Sequence, residues 1–381
     1  SLTNKRYFCR CRAKFKLVDL AARLLKKNPK RITFMAPLVT CLFSLLCGTS
    51  YVALAVFPVI VEIAYEEKIR PERPISMALL GSTQALTGSP MSAATAVIVS
   101  VLAVYGVTLG HIMLVCIPSV VLALLLGALV ISRHGVELEA DPEYRRRVAS
   151  GELAPAQALK AIEIKPKAKL GVMLFLLAIV MTVIFGSMPS LLPSWTVKGK
   201  LVHLSIPYTI TLIMFSFAAI MVVVCNVKPG KIIQSSIFSS GMMAVVGLFG
   251  VAWMCDTFFV NNKATFIEFY QTYFSDSVWL YAVGFMLISV LIASQGAATT
   301  IAIPLGTTLA IQAPYLVALF PLANGSWFLP ISGNVFAAIA MDRTGTTGIG
   351  KYLFNHSFIL PGAITCFSTV FFSFILINFV F

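Results

Sequence analysis

The sequence predicts an all-α polytopic membrane protein made of inverted repeats, each with a re-entrant hairpin and a broken helix. Hydrophobic residues make up 58% of the 381 residues and charged residues only 12%, whereas charged residues make up about 25% of a soluble domain. Several apolar segments approach or exceed the ~20 residues that span a bilayer. Four polar motifs interrupt such segments, and lipid tolerates an open backbone only where protein or a wet cavity covers it.

Basic residues orient the chain relative to the membrane. Residues 1–31 contain eleven Lys and Arg but only one acid, Asp19, and they predict a basic N-terminal segment with an amphipathic interfacial helix over 15–30. The loop 134–169 is also rich in Lys and Arg. Because such loops stay in the cytoplasm, both segments are predicted to be cytoplasmic. This placement accounts for the net charge of +14 without a nucleic-acid partner.

The first transmembrane repeat is predicted over residues 32–133, and it starts with a hairpin over 32–61. This hairpin begins and ends on the cytoplasmic side, and its predicted tip is Gly48, Thr49 and Ser50. Each arm of about 14 residues reaches ~21 Å, which is beyond the midplane of a ~30 Å hydrocarbon core. One long tilted helix over the same residues is the alternative.

A crossing helix is predicted next, over residues 75–105, and a polar motif breaks it. The motif comprises Thr87, Gly88, Ser89 and Pro90. A full helix over 111–133 then crosses back to the cytoplasmic loop 134–169. Because two crossings separate this loop from residues 62–74, that short segment is also placed in the cytoplasm.

The second half is predicted to repeat this order from the opposite face. Residues 170–277 supply scaffold helices, and residues 278–381 supply a second hairpin (278–312), a broken helix (313–341) and a final helix (355–381). Polar motifs again form the tip and the break, namely Ser294, Gln295 and Gly296 in the hairpin and Ser332, Gly333 and Asn334 in the broken helix.

A faint internal echo supports the comparison of the two halves. Residues 48–58 align with 294–304, which places Pro58 and Pro304 in register. Hairpin, broken helix and full helix recur in the same order but enter from opposite faces, as expected of an inverted repeat. Paired breaks in such repeats indicate the binding site of a transporter.

The four polar motifs are predicted to bind a small dianion. A half-helix N-terminus presents unpaired N–H groups and the positive end of a dipole, and hydroxyl and amide side chains add donors without burying a costly fixed charge. Close helix packing by Gly, Ser and Thr is the alternative interpretation. The predicted substrate-binding residues are Gly48, Thr49, Ser50, Thr87, Gly88, Ser89, Pro90, Ser294, Gln295, Gly296, Ser332, Gly333 and Asn334. Among them, Thr49, Ser89, Gln295 and Asn334 are expected to line one cavity near the midplane.

A second group of polar residues is predicted to couple or gate transport. These residues are Asp256, Asn262, Asp342, Thr344 and Thr346, which lie near the ends of apolar segments. The alternative for an acid in such a position is helix capping.

Neither a metal, a cofactor nor an enzymatic activity is expected. The eight cysteines are scattered, mostly within apolar segments, and their spacing is typical of neither a zinc site nor a disulfide framework. The four histidines have no metal partner at useful spacing. The apolar segments also contain no Ser/Lys, His/Glu or paired Asp arrangement of the kind that intramembrane catalysis requires.

Several longer stretches resemble the anaerobic C4-dicarboxylate transporter (Dcu) family. The strongest are 341–351 with Asn355 and His356, 250–258, 89–94, 141–147 and 25–30. The resemblance runs from about Leu17 to the end. It implies a multi-pass carrier of the bacterial inner membrane that exchanges fumarate, succinate, malate or aspartate in anaerobic metabolism, by antiport.

Two alternatives to a transporter remain at this point. One is a membrane co-sensor that binds dicarboxylate and regulates a partner, and a sensor kinase or a second copy of the chain is a possible partner. The other is a non-functional truncated remnant, because residues 1–16 are unlike the family, whose members usually begin with further apolar spans. No nucleic-acid partner is expected.

Overall fold

A computed structural model of the protein describes residues 24–25, 27–153, 166–188, 191–197, 200–204, 206–227, 229–233, 257, 261–262, 268, 278–292, 294–329, 332–350, 352 and 354–381. Most of the helix predicted over 15–30 lies outside these residues. So do Asp256 and, apart from a few isolated positions, the part of 170–277 that follows Ile233.

The first half consists of helices interrupted by short 3-10 turns. The α-helices are α1 (Ile32–Cys47), α2 (Phe57–Glu66), α3 (Glu72–Gln84), α4 (Ala93–Leu102), α5 (Leu109–Ile131) and α6 (Pro142–Ala149). The 3-10 segments are Pro29–Arg31, Ser50–Ala55, Ala85–Thr87, Ala103–Tyr105 and Leu138–Ala140. A capping box between Thr108 and His111 fixes the start of α5, since the two residues satisfy each other's backbone N–H groups.

The described second half is helical except for one small hairpin. Its α-helices are α7 (Pro166–Ser187), α8 (Ile206–Val224), α9 (Pro229–Ile233), α10 (Val278–Ile292), α11 (Gln295–Thr308), α12 (Ala313–Leu319), α13 (Gly333–Met341) and α14 (Ile359–Val380). A 3-10 segment, Phe320–Ala323, extends α12. The antiparallel strands β1 (Ser194–Val197) and β2 (Lys200–His203) pair Ser194 with His203 between α7 and α8, which is a departure from a purely helical prediction.

Three of the described helices are long and apolar enough to cross a membrane. They are Pro29–Cys47, Leu109–Ile131 and Ile359–Val380, with 19, 23 and 22 residues. The shorter apolar helices include Ala93–Tyr105, Val278–Ile292 and Ala313–Ala323. The coarse prediction, a helical membrane protein, is therefore confirmed.

Two of these long helices, α5 and α14, pack against each other in an antiparallel pair. The rings of His111 and Phe381 meet edge to face with centroids 5.1 Å apart, and Gly127 lies against Thr365, whose Cγ2 would be 2.7 Å from a Cβ at Gly127. The start of one helix thus meets the end of the other. A glycine at the second contact allows the two backbones to approach closely.

Helices α1 and α3 approach even more closely. A Cβ added at Gly81 would overlap the carbonyl of Pro37. The hydroxyl of Thr40 donates to the Ala78 carbonyl across the interface at 2.8 Å. Since Pro37 has no N–H to donate, its position inside α1 also removes one helical hydrogen bond.

The apolar core consists of two main clusters, and each combines residues from both halves of the chain. One cluster joins the first predicted hairpin and α3 to Val335 and Ala338 of α13. The other joins α10, α11, α12 and α14 to α4 and α5, with Ile98 and Ala302 among its fully buried members. Each predicted hairpin therefore packs with a helix from the other half, and the breaks of both halves are brought toward one region.

Replacing Gly81 with alanine should destabilise the protein, because the new methyl group has to displace the Pro37 carbonyl. Overpacking of this kind costs about 1–3 kcal/mol. Thermal unfolding of the detergent-purified protein measures the change.

Gly284→Ala is the matched control for this substitution. Gly284 also lies within a helix, but nothing lies within 4 Å of a Cβ added there, so the higher helix propensity of alanine should leave stability equal or slightly raised. Equal melting temperatures for the two variants would contradict the packing argument.

Candidate functional site

Each of the four breaks is the start of a new helix with a hydroxyl cap. The capping oxygens belong to Thr49, Ser92, Ser294 and Ser332, and they accept backbone N–H bonds from Tyr51, Thr95, Ala297 and Val335 at 3.3, 3.4, 3.5 and 3.4 Å. Each cap satisfies one of the N–H groups that a helix start leaves open. The remaining N–H groups of the first turn are available to an anion.

Ser92 is a cap that the sequence analysis did not include among the site residues. The predicted motif ended at Pro90, but α4 begins only at Ala93, and Ser92 precedes it with extended backbone angles. A hydroxyl residue just before an apolar helical run is an N-cap signal. The order Pro90, Met91, Ser92 also recurs as Pro330, Ile331, Ser332, so the signal was present in the sequence.

The first tip contacts the first broken helix directly. Gly48 ends α1 in the left-handed conformation with φ of +66°, and a Cβ there would lie 2.5 Å from the Met91 carbonyl oxygen. The hydroxyl of Ser89 donates to the Leu45 carbonyl at 2.6 Å. Glycine is required at Gly48 by both its backbone angle and this contact.

The first tip also contacts the second broken helix. Asn334 Nδ2 donates to Ser50 Oγ at 2.7 Å, across 284 residues of sequence. Asn334 is 6% exposed, and its Oδ1 has no hydrogen-bond partner among the described residues. The bond connects one break from each half of the chain and leaves one end of a buried amide unused.

The second tip has an unused amide of its own. Both Gln295 side-chain atoms, Oε1 and Nε2, are buried without a partner in the described part of the chain. The hydroxyls of Thr299 and Thr300 instead donate to the carbonyls of Gln295 and Gly296 within α11. The Gln295 side chain thus bonds to none of Thr49, Ser89 or Asn334, and α11 joins that group by packing against α4.

Thr87 and Gly88 have contacts that fit helix packing. The Thr87 hydroxyl donates to the Gln84 carbonyl at 2.7 Å, and a Cβ on Gly88 would lie 2.6 Å from Ile117 Cγ1. Both residues are buried, as is Pro90. For Thr87 and Gly88, the contacts favour the packing interpretation that the sequence left open.

The carboxylate of Asp342 organises the turn that follows α13. Its Oδ1 accepts from the N–H and the hydroxyl of Thr344 at 2.9 and 2.5 Å, and its Oδ2 accepts from the Thr346 hydroxyl and the Thr347 N–H at 2.9 and 2.7 Å. Asp342 is 3% exposed. Four donors compensate for the burial of this charge. Asn262 belongs to the short described pair 261–262.

The Asp342 turn presents Arg343 to the first half. The Arg343 guanidinium pairs with Glu62 of α2 at 2.8 Å and lies over the Tyr65 ring, 4.8 Å from its centroid. Arg147 of α6 donates to the Arg343 carbonyl at 3.0 Å. These bonds connect the turn after α13 to 62–74 and 134–169, two segments for which the sequence predicts a common cytoplasmic face.

Helix α6 carries its own ion pairs at this face. Hydrogen bonds from Arg146, and to a smaller extent from Arg147, lower the pKa of Glu143 to about 2, so this carboxylate stays charged even at moderately acid pH. Arg70 pairs with Asp141, the N-cap of α6, at 3.2 Å. Neither Glu62 nor Arg147 was singled out from the sequence, because nothing local marks their distant partners.

Comparisons with known proteins all match the chain to transporters of one kind. The family described as anaerobic C4-dicarboxylate membrane transporter matches residues 15–381. The C4-dicarboxylate transporter DcuA of Escherichia coli K12 is 38% identical over 364 residues, 95% of this chain and 83% of that protein. DcuA of Helicobacter pylori J99 is 35% identical over 93% and 81%.

The anaerobic C4-dicarboxylate transporter DcuB of Escherichia coli O6:H1 is 31% identical, over 91% of this chain and 79% of that protein. No solved structure gives a significant match. The matching family is one of membrane transporters and not of enzymes, in agreement with the expectation from the sequence. The resemblance found in the sequence is confirmed, and the chain belongs to the anaerobic C4-dicarboxylate membrane transporter family.

Proposed function

We propose that this protein transports C4-dicarboxylates such as fumarate, succinate, malate and aspartate across the bacterial inner membrane, by antiport with alternating access. The names of its relatives supply the substrate class. The main observation in support of the site is the hydrogen bond between Asn334 and Ser50. It joins capped helix starts from both halves, and the Oδ1 atom of the buried Asn334 amide has no partner among the described residues.

The two re-entrant hairpins are part of this proposal. In the second, the Tyr281 hydroxyl donates to the Ala302 carbonyl at 2.7 Å and lies near Gly306, so α10 and α11 run antiparallel on either side of the tip. In the first, α1 runs in the same direction as α3 and the break that follows it, because Pro37 meets Gly81 of α3 and Leu45 meets Ser89 of the break. The chain between them therefore has to turn back.

The site binds its dianion with neutral groups in this mechanism. Helix starts at Ser50, Ala93, Gln295 and Gly333 offer backbone N–H groups with a partial positive charge. The Asn334 amide can present either its oxygen or its NH₂ to substrate, because the Ser50 hydroxyl can both accept and donate. Without a buried cation the empty site carries no uncompensated charge, so a weakly bound substrate can leave on either side.

The ion pair between Arg343 and Glu62 acts as a cytoplasmic closure in this scheme. It connects α2 of the first hairpin to the turn that follows α13. Asp342, Thr344 and Thr346 fix the shape of that turn, so their gating role is to position Arg343. Coupling roles for Asp256 and Asn262 stay predictions, as do a homo-oligomer and a sensor-kinase partner.

Purified protein in vesicles loaded with succinate should accumulate labelled fumarate by counterflow. Exchange is expected only with a C4-dicarboxylate inside, and vesicles loaded with acetate are the control. Specific binding of fumarate without exchange would reject the transporter and favour the co-sensor.

Asn334→Leu should lower exchange about tenfold or more, since it removes both the bond to Ser50 and the free end of the amide. Asn378→Leu is the matched control, because among the described residues the Asn378 amide bonds to the Phe374 and Ile375 carbonyls of its own exposed helix end. Equal exchange by the two variants, at equal membrane insertion, would count against the site.

Glu62→Gln and Arg343→Gln should each lower exchange several-fold, and the double variant should be no worse than either single one, because all three lack the same pair. Glu139→Gln is the control. Its pair with Lys68 is 65–75% exposed and contributes little. Additive losses in the double variant would reject a shared closing function.

A further inference from the structure

Two buried polar side chains, one in each broken helix, have no role in the site described above. Gln84 is the last residue of α3 and has no exposed surface. Neither its Oε1 nor its Nε2 has a hydrogen-bond partner of good geometry among the described residues. Trp327 is 3% exposed, and its indole Nε1 likewise has no such partner. Both side chains lie beside the sulfur of Cys366 in α14, and a thiol is a weak hydrogen-bond acceptor.

These side chains come from both halves of the chain. Gln84 immediately precedes the first broken-helix motif, and its own carbonyl accepts from Thr87. Trp327 follows the 3-10 segment Phe320–Ala323, whose Pro321 carbonyl lies 3.9 Å from Cys366 Sγ. Close by in sequence, Asn324 is 4% exposed and its Nδ2 is also without a partner in the described chain.

The common chemistry of the group is neutral N–H donation. Apart from the weak contact of the Gln84 amide and the Trp327 indole with the Cys366 sulfur, the N–H groups of Gln84, Trp327 and Asn324 have no partner among the described residues. Lipid offers no acceptor at this depth, and buried polar atoms are normally paired, so each unpaired group requires an explanation. A ligand that supplies acceptor oxygens during part of the transport cycle is such an explanation.

We propose that Gln84 and Trp327 form a carboxylate subsite for the transported dicarboxylate, next to Cys366 and between the two broken helices. The inference rests on the proposed function, since it assigns further residues to the same substrate. A carboxylate accepts from several N–H groups at once. Neutral donors hold it without leaving a buried cation in the empty carrier.

Trp327→Phe is the sharpest variant, because it removes the indole N–H and keeps an aromatic ring. The ring packs on Gly362 and meets Phe328 and Phe367 edge to face, and these contacts are largely retained. The affinity for succinate, measured by binding to the purified protein, should fall about tenfold. Gln84→Leu should have a similar effect on affinity.

Trp279→Phe is the matched control for the indole. Trp279 is 64% exposed on α10 and stacks on Phe374, so its replacement should leave succinate affinity unchanged. Melting temperature and membrane insertion of every variant are measured in parallel. Lower stability with unchanged affinity in Trp327→Phe and Gln84→Leu means that a water or packing alone uses these groups, and it overturns the subsite.

Cys366 offers a second readout that needs no substitution in the subsite. In a variant with the other seven cysteines replaced, methyl methanethiosulfonate should modify Cys366 slowly, and saturating succinate should slow the reaction several-fold while acetate does not. Modification at the same rate with and without succinate, or no modification in either condition, counts against a substrate path beside this thiol.

The outcomes separate the two claims. Fumarate exchange by the unmodified protein, combined with normal affinity in Trp327→Phe and Gln84→Leu and no protection of Cys366, overturns the subsite and leaves the transporter intact. Absence of both exchange and binding in the unmodified protein overturns the proposed function and the subsite together.

Discussion

Every interruption of a helix within lipid creates backbone N–H groups that the surroundings cannot satisfy, and the rest of this structure follows from how these groups are covered. Hydroxyl caps at Thr49, Ser92, Ser294 and Ser332 satisfy part of each helix start. The breaks are also packed against other protein segments, as Gly48 is against Met91. Polar backbone that must avoid lipid is thereby concentrated in the protein interior, which is where a polar substrate needs it.

Close packing between backbones provides that cover. Gly81 and Gly127 let α3 and α5 approach Pro37 and Thr365 at distances that a larger residue would not allow. The crossed arrangement of the cores adds a second condition, because each predicted hairpin rests on a helix of the other half. A movement of one hairpin would therefore displace the helix break of the opposite repeat. Alternating access requires such coupling between the two halves.

Composition and apolar length were enough to predict a helical membrane protein, since the physics of lipid acts on every residue of a span. The breaks were visible as local polar motifs, but Ser92 was overlooked because the motif was read only as far as Pro90. The bond from Asn334 to Ser50 and the pair of Arg343 with Glu62 join residues more than 280 positions apart in the chain, and no local pattern encodes such contacts. Gln84 escaped notice because a single amide at a helix end looks ordinary until its burial is known.

The antiparallel pair of α5 and α14 has a consequence for the biosynthesis of the protein. Helix α5 is translated before the second half of the chain. Its partner α14, which places Phe381 against His111 of α5, is translated after the other described helices of that half. Until then the face of α5 that receives Thr365 has only lipid, the insertion machinery or a provisional neighbour to cover it. Ribosome pausing or truncation within the second half should thus expose a membrane-embedded intermediate whose first half is inserted but lacks its packing partner, and exposed surface of this kind favours misassembly.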